Sequence, residues 1–103
     1  MATFITTINF TEQGIQNIKD TGQRAKSFKS AAKKMGVTIK GLYWTLGAFD
    51  GAFVFDAPDD ETATALMLSL GAQGNVMTKT ARAFDAKEMD GILSKMQASS
   101  AHR

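Results

Sequence analysis

Hydrophobic residues follow β-strand patterns along four stretches of this sequence and recur every three or four positions along three others. The strand patterns predict β-strands at 3–10, 37–46, 52–57 and 76–84. The helical spacing predicts helices at 12–35, from 58 to Gly71 or Gly74, and from 86 to 96. The predicted order of elements is therefore β-α-β-β-α-β-α.

Turn and capping residues mark the ends of these elements. The run Asp20-Thr21-Gly22 is expected to break the first helix, and Gly36 is expected to end it. In the second strand the hydrophobic residues change parity at Gly41, which predicts a β-bulge. Asp85 and Glu88 have the spacing of a capping box at the start of the last helix.

Each predicted helix carries one hydrophobic stripe that we expect to face the sheet. In the first helix the stripe consists of Ile15, Ile18, Ala25, Phe28, Ala32 and Met35. In the second helix it consists of Ala63, Leu66, Met67 and Leu70. In the last helix it consists of Met89, Ile92, Leu93 and Met96.

Two β-α-β units around a central hairpin predict an α+β fold of the ferredoxin-like type, a four-stranded antiparallel sheet with helices on one side and an added C-terminal helix. The second and third strands are nevertheless hydrophobic on both faces, since Tyr43 and Trp44 are neighbours, as are Phe53 and Val54. A bare hydrophobic face of this kind marks an interface. We therefore expect a homo-oligomer that forms through the sheet face, with a subunit number that the sequence leaves open.

The composition narrows the class of protein. A chain of 103 residues predicts a single domain, here 1–97, followed by a flexible polar tail at 98–103. The absence of cysteine excludes disulfides and a thiolate zinc site, and is compatible with a cytoplasmic protein. The N-terminus has no pattern of a signal peptide, and no apolar run could span a membrane. A net charge of +2 does not by itself predict a nucleic-acid partner.

Several segments of the chain resemble the GYD domain family, small proteins of about this length whose function is not established. The resemblance covers roughly residues 3–96 and is carried by segments 8–15, 17–21, 43–50, 56–60, 74–76 and 80–84. The family is named after a Gly, a Tyr and an Asp in the hairpin. Gly47 and Asp50 match, whereas the aromatic position is Phe49, so a role for the phenolic hydroxyl is lost here and a packing role is kept. The resemblance implies similarity to dimeric α/β-barrel proteins.

The candidate ligand-binding residues lie in or beside the hairpin: Tyr43, Trp44, Phe49 and Asp50. Asp50 is either a turn residue whose carboxylate bonds nearby backbone N–H groups, or a general base or ligand anchor at the mouth of a cleft. Tyr43 and Trp44 should point to opposite faces of the sheet, one beneath the helices and one toward a partner subunit. Either packing or the lining of a ligand pocket would explain them.

Charged residues elsewhere predict no further chemistry. The acidic run of Asp56, Asp59, Asp60 and Glu61 suits a helix N-terminus better than a metal site, because its spacing does not match a calcium loop. The lysines at 26, 29 and 33, with Arg24 and Lys34 beside them, are interpreted as a solvated helix face. His102 lies in the polar tail, where nothing would hold it as a catalytic base. No cofactor, metal, membrane or nucleic-acid partner is predicted.

Three functions remain open at this point. The first is a small cytoplasmic self-associating protein that is non-catalytic or binds a small apolar ligand. The second is a cofactor-independent enzyme of the α/β-barrel type that acts on a small apolar or aromatic metabolite, with Asp50 as its acid/base. The third is a self-assembling structural scaffold. A pocket of roughly 300 Å³ or more beside Asp50 would favour the enzyme.

Overall fold

The structure is a computed structural model of the chain that describes the backbone of residues 1–100 and the side chains of residues 1–96. The strands are β1 (Ala2–Phe10), β2 (Thr38–Trp44), β3 (Gly51–Ala57) and β4 (Val76–Ala83). The helices are α1 (Glu12–Gln16), α2 (Thr21–Lys34), α3 (Asp60–Ala72) and α4 (Ala86–Ser100), with a single 3₁₀ turn at Ile18–Asp20 between α1 and α2.

The four strands form one sheet in the order β2-β3-β1-β4, and every neighbouring pair is antiparallel. The predicted ferredoxin-like α+β fold is therefore confirmed. The register pairs Phe4 with Phe55 and Ile5 with Val54, so alternate residues of each strand face opposite sides. We call the side that α2 and α3 cover the helix face, and the other side the open face.

The core lies between the helix face and the helices α2 and α3. The rings of Phe4 and Phe55 stack with their centroids 5.2 Å apart, and Phe53 meets Phe28 of α2 edge to face at 5.1 Å. The predicted stripe of α3 is buried at three positions and half-buried at the fourth, Leu70. Burial of this stripe against the aromatic floor of the sheet holds the two layers together.

The first helical segment differs from the prediction. The break begins earlier than predicted, since α1 ends after five residues and the 3₁₀ turn follows Asn17. The helix restarts at Thr21 with Asp20 at its N-cap, within the predicted break. Because helical phase is not kept across such a break, a stripe counted through it does not stay on one face. Ile15 is 56% exposed, and Ile18 and Met35 are also exposed, so the prediction that these three residues face the core was wrong. Ala32 is fully buried, as predicted.

The predicted bulge, the end of the first long helix at Gly36 and the predicted capping box are confirmed. The register of β2 against β3 shifts between Ile39 and Gly41, which is the predicted bulge. Gly36 has φ of 79° directly after α2, a left-handed conformation that glycine adopts without strain. The backbone N–H groups of Asp85 and Glu88 donate to each other's side-chain carboxylates at 3.1 and 2.8 Å, completing the capping box.

Helix α3 begins at a strong cap. Asp59 accepts a hydrogen bond from the backbone N–H of Thr62 at 2.7 Å. Hydrogen bonding from Thr62 stabilises the carboxylate and lowers the pKa of Asp59 below its usual range. The acidic residues at this point therefore serve the helix N-terminus, as the sequence indicated.

Helix α4 does not pack as predicted. Met89, Leu93 and Met96 are exposed, Met96 by 62%, so its hydrophobic stripe does not face the sheet of its own chain. The longest dimension of the molecule is 58 Å, whereas the strands, of seven to nine residues, span at most about 30 Å. The predicted tail at 98–103 falls outside the described side chains; the helical backbone is described as far as Ser100. No helix in the described range is long and apolar enough to cross a membrane.

Candidate functional site

A cleft lies between α2 and the helix face at the end of the sheet where β1 and β2 finish. Its volume is about 60 Å³, and its walls are mostly apolar. The aromatic lining consists of Phe10, Phe28, Trp44 and Phe53, and the aliphatic lining includes Ile8, Leu42 and Leu70. By the room that one water needs, roughly 10–15 Å³, the cleft accommodates about four to six non-hydrogen atoms.

Trp44 forms part of this cleft, whereas the ring of its neighbour Tyr43 does not. Trp44 lies on the helix face, and its indole Nε1 donates a hydrogen bond to Thr21 Oγ1 at 3.3 Å, which ties β2 to the start of α2. Tyr43 borders the cleft, but it pairs with Ala52 and its ring lies on the open face beside Gly41. The open face therefore carries Tyr43 at 65% exposure, with its hydroxyl free of hydrogen bonds to the described residues.

Asp50 lies outside the lining of the cleft and holds the hairpin loop against β1. Its carboxylate Oδ2 accepts a hydrogen bond from the backbone N–H of Phe10 at 2.8 Å. Its own N–H donates to the carbonyl of Ile8 at 2.8 Å. The carbonyl of Phe49 accepts from the Thr45 hydroxyl at 2.6 Å within the same loop. Through these contacts Asp50 fixes the hairpin loop to β1, and Phe49 helps to fix the shape of the loop itself.

Arg24 is the residue of this site that the sequence interpretation missed. It borders the cleft from α2 and is half-buried, while the lysines grouped with it at 26, 29 and 33 are exposed. Its Nη1 donates to the carbonyl of Asn17 at 2.9 Å, and its Nη2 is buried with no hydrogen-bond partner among the described residues. The sequence did contain a signal for this position. Arg24 precedes Phe28 by four residues, so both side chains lie on the same side of the helix, which is the side predicted to face the sheet.

The polar rim of the cleft comes from the turn between α3 and β4. Gln73 and Asn75 line it, and the side-chain amide of Gln13 donates to the Gln73 carbonyl at 2.9 Å and to Asn75 Oδ1 at 3.1 Å. The backbone of Thr11 donates to the carbonyl of Asn75 at 3.1 Å. The start of α1 therefore fixes the position of this rim.

A second concavity lies between α3 and β4 and has a volume of about 520 Å³. It is more open to solvent than the cleft, and its floor is largely threonine. Its one cation, Arg82, is already engaged: Nη2 contacts Glu88 Oε2 at 3.1 Å, and Nη1 donates to the carbonyls of Thr3 and Ala83. The guanidinium also stacks on the rings of Phe4 and Phe84. This groove has ligand-like size, but among the described side chains that line it no buried polar atom lacks a hydrogen-bond partner.

The remaining acidic candidate, Asp56, lies on the open face. Its Oδ1 accepts from the Thr3 hydroxyl at 2.6 Å, and its Oδ2 lies 3.5 Å from Lys40 Nζ. The carboxylate thus belongs to cross-strand contacts of the sheet. Within the described side chains, no three acidic or histidine residues converge as metal ligands would.

Two solved structures share this fold at low sequence identity. MtbAldR (Rv2779c) superimposes with a TM-score of 0.64 at 15% identity over 82% of this chain, which spans about half of that protein (53%). TTHA0845 from Thermus thermophilus superimposes with a TM-score of 0.53 at 20% identity, covering 84% of this chain and 96% of that one. At these identities the likeness concerns the fold alone.

No curated protein gives a significant match to the sequence. The sequence profile of the GYD domain, in contrast, matches residues 4–93, which is nearly the whole described fold. The matched range includes the cleft, the hairpin loop and the first turns of α4. The chain therefore belongs to the GYD domain family.

Proposed function

We propose that the protein is a cytoplasmic, self-associating subunit that binds a small, largely apolar molecule in the cleft between α2 and the sheet. The observation that carries the proposal is the cleft itself, whose walls are predominantly aromatic and aliphatic side chains. Ligand sites are concave and mostly apolar, with a few polar groups that fix orientation. The polar groups here are Arg24, Gln73 and Asn75.

The enzyme alternative has less support. The pocket of roughly 300 Å³ beside Asp50 that would favour an enzyme is not found among the described residues, since the cleft holds only about 60 Å³ and Asp50 does not border it. The Asp50 carboxylate is also occupied by the backbone of Phe10. An acid/base role would require Asp50 to release this contact, so we favour binding without catalysis.

Filling the cleft from α2 provides the test. Ala25 lines the cleft, and replacing it by leucine adds three carbon atoms to a space for about four to six. We expect Ala25→Leu to weaken the binding of a neutral apolar probe, 1-butanol, by more than about tenfold, since the ligand loses most of its apolar contacts. The emission of Trp44, the single tryptophan, reports binding because its indole lines the cleft.

Ala31→Leu is the matched control, since Ala31 lies on the exposed side of the same helix. It should bind 1-butanol like the parent protein. If no titration changes the Trp44 emission of the parent protein, or if both variants bind equally well, the cleft is not the ligand site.

Self-association rests on the open face of the sheet. Tyr43, Ile5 and Met77 all lie on this face and are exposed, Met77 by 68%. Ala52 and Val54 of β3 lie between Tyr43 and Ile5 and complete an apolar surface there, whereas Met77 of β4 pairs with the polar Asn9 of β1. A surface of this kind on a small protein marks an interface, and a second copy of the same sheet would supply a complementary one.

A charge at the centre of this face should therefore separate the subunits. We expect Ile5→Glu to lower the association constant by at least about 100-fold, because the carboxylate would be buried without a partner. Sedimentation velocity over a range of protein concentrations measures the change. Leu46→Glu is the control, since Leu46 is fully exposed in the hairpin loop. A parent protein that sediments as a monomer at micromolar concentration would contradict the proposal, and an open series of larger species would favour the scaffold.

A further inference from the structure

The side chain of Arg24 gives the cleft a chemical preference. Its Nη1 is held by the carbonyl of Asn17 at 2.9 Å, so the guanidinium is anchored in place. Its Nη2 is buried and has no partner among the described residues. A buried donor on a charged group that makes no hydrogen bond is costly. A ligand that brings a hydrogen-bond acceptor into the cleft and pairs with this nitrogen would remove that cost.

No carboxylate of the described side chains fills this role. The two ion pairs found among them join Lys40 to Asp56 and Arg82 to Glu88, and neither involves Arg24. The residues that line the cleft include no aspartate or glutamate. Arg24 is therefore the single charged residue that lines the cleft. No negative charge in the lining would repel an anion that enters.

The shape of the donor favours a carboxylate. A guanidinium presents its N–H groups in a planar fork that matches the two oxygens of a carboxylate. One cation neutralises one negative charge, and the rest of the wall is suited to hydrocarbon, with Phe28 and Trp44 lining the space together with Leu70. An amino acid would add an ammonium group, for which the cleft offers no carboxylate.

We propose that the ligand of this cleft is a short monocarboxylate without an amino group, whose carboxylate pairs with Arg24 and whose carbon chain lies against Trp44 and Phe28. The volume of about 60 Å³ limits the buried part to about four to six non-hydrogen atoms. This inference rests on the ligand-binding function proposed above and adds the class of ligand. Because the surface of Nη2 is buried, the guanidinium must turn toward the cleft for the carboxylate to reach this nitrogen.

The test compares three probes of similar size: sodium butyrate, butyramide and 1-butanol, each titrated at constant ionic strength and followed by Trp44 emission. We expect butyrate to bind more tightly than butyramide by about tenfold or more, the value of one hydrogen bond to a charged group. Arg24→Met, which keeps the aliphatic part of the side chain and removes the guanidinium, should abolish this preference, so that butyrate and butyramide bind equally. Lys26→Met on the exposed side of α2 is the control and should keep the preference.

The outcomes separate this inference from the function on which it rests. If 1-butanol binds but butyrate and butyramide bind equally, or if Arg24→Met keeps the preference for butyrate, the carboxylate assignment is wrong and the cleft remains a site for neutral ligands. The free amino acid L-alanine, titrated in the same way, tests the exclusion of amino acids: if it binds as tightly as butyrate, that exclusion is wrong. If none of the probes binds, both the inference and the proposed function fail.

Discussion

Replacing Phe55 by alanine is expected to destabilise the protein by about 3–5 kcal/mol, the usual cost of removing a buried aromatic ring. Phe55 is fully buried in β3, stacked on Phe4 at 5.2 Å and in contact with Phe53 at 5.8 Å. The loss includes the transfer free energy of the ring and the cavity that remains between the sheet and the helices. Since small domains unfold with only about 5–15 kcal/mol, this one change removes a large part of their stability.

Urea unfolding at a fixed protein concentration measures the change, because self-association would otherwise shift the midpoint. Phe49→Ala is the control. Phe49 lies in the hairpin loop and is partly exposed, so its replacement should cost less than about 1 kcal/mol. Equal losses for the two variants would mean that the helices do not pack on the face that carries Phe55.

Replacing Gly14 by alanine is also expected to lower the stability of the protein strongly, because the added Cβ collides with the backbone of another segment. A Cβ at position 14 would lie 2.0 Å from the carbonyl oxygen of Asn75, which is the acceptor of the hydrogen bond from Thr11 N–H. One of the two segments must move, and that hydrogen bond is then stretched or broken. We expect a loss of about 2–4 kcal/mol, from overpacking together with one unmade hydrogen bond.

The same change should weaken ligand binding, since Asn75 and Gln73 form the rim of the cleft. Gly22→Ala is the matched control on α2, where a Cβ would meet nothing within 4 Å. There the substitution should be neutral or stabilising by up to about 1 kcal/mol, because alanine favours the helix. Thermal unfolding and the 1-butanol titration, carried out on the parent protein, Gly14→Ala and Gly22→Ala, measure the effects on stability and on binding. A Gly14→Ala protein as stable as Gly22→Ala would show that α1 does not approach the α3–β4 turn.

The elements of the fold could be predicted from the sequence, because their signals are local. The bulge at Gly41 is visible as a change of parity within one strand, and the capping box at Asp85 and Glu88 as a spacing of three residues. The wrong predictions concern hydrophobic stripes that were extended beyond the helix, or beyond the covering layer, that would bury them. Ile15 is exposed because α1 ends after five residues, and Met96 lies on a helix whose hydrophobic stripe is mostly left exposed in its own chain.

The candidate site was predictable only in part. Trp44 was predicted as a wall of a pocket or of the core, and it lines the cleft. Two roles were predicted for Asp50, and its carboxylate does accept from a backbone N–H, but that N–H belongs to Phe10, 40 residues away along the chain. Arg24 looked like one member of a basic helix face, because charge alone does not reveal which side of a helix is covered.

The sequence by itself determined the order of strands and helices, the faces of the strands and the places where the chain turns, since each depends on residues within about one turn or one hairpin of each other. The tertiary structure alone decided what those faces meet. It brought Arg24, which has one buried and unpartnered nitrogen, to the border of an apolar cleft, set the backbone of Asn75 against Gly14, and left the ring of Tyr43 on an uncovered face of the sheet. These contacts join residues far apart in the chain, and they arise from how the layers pack, which no local pattern records.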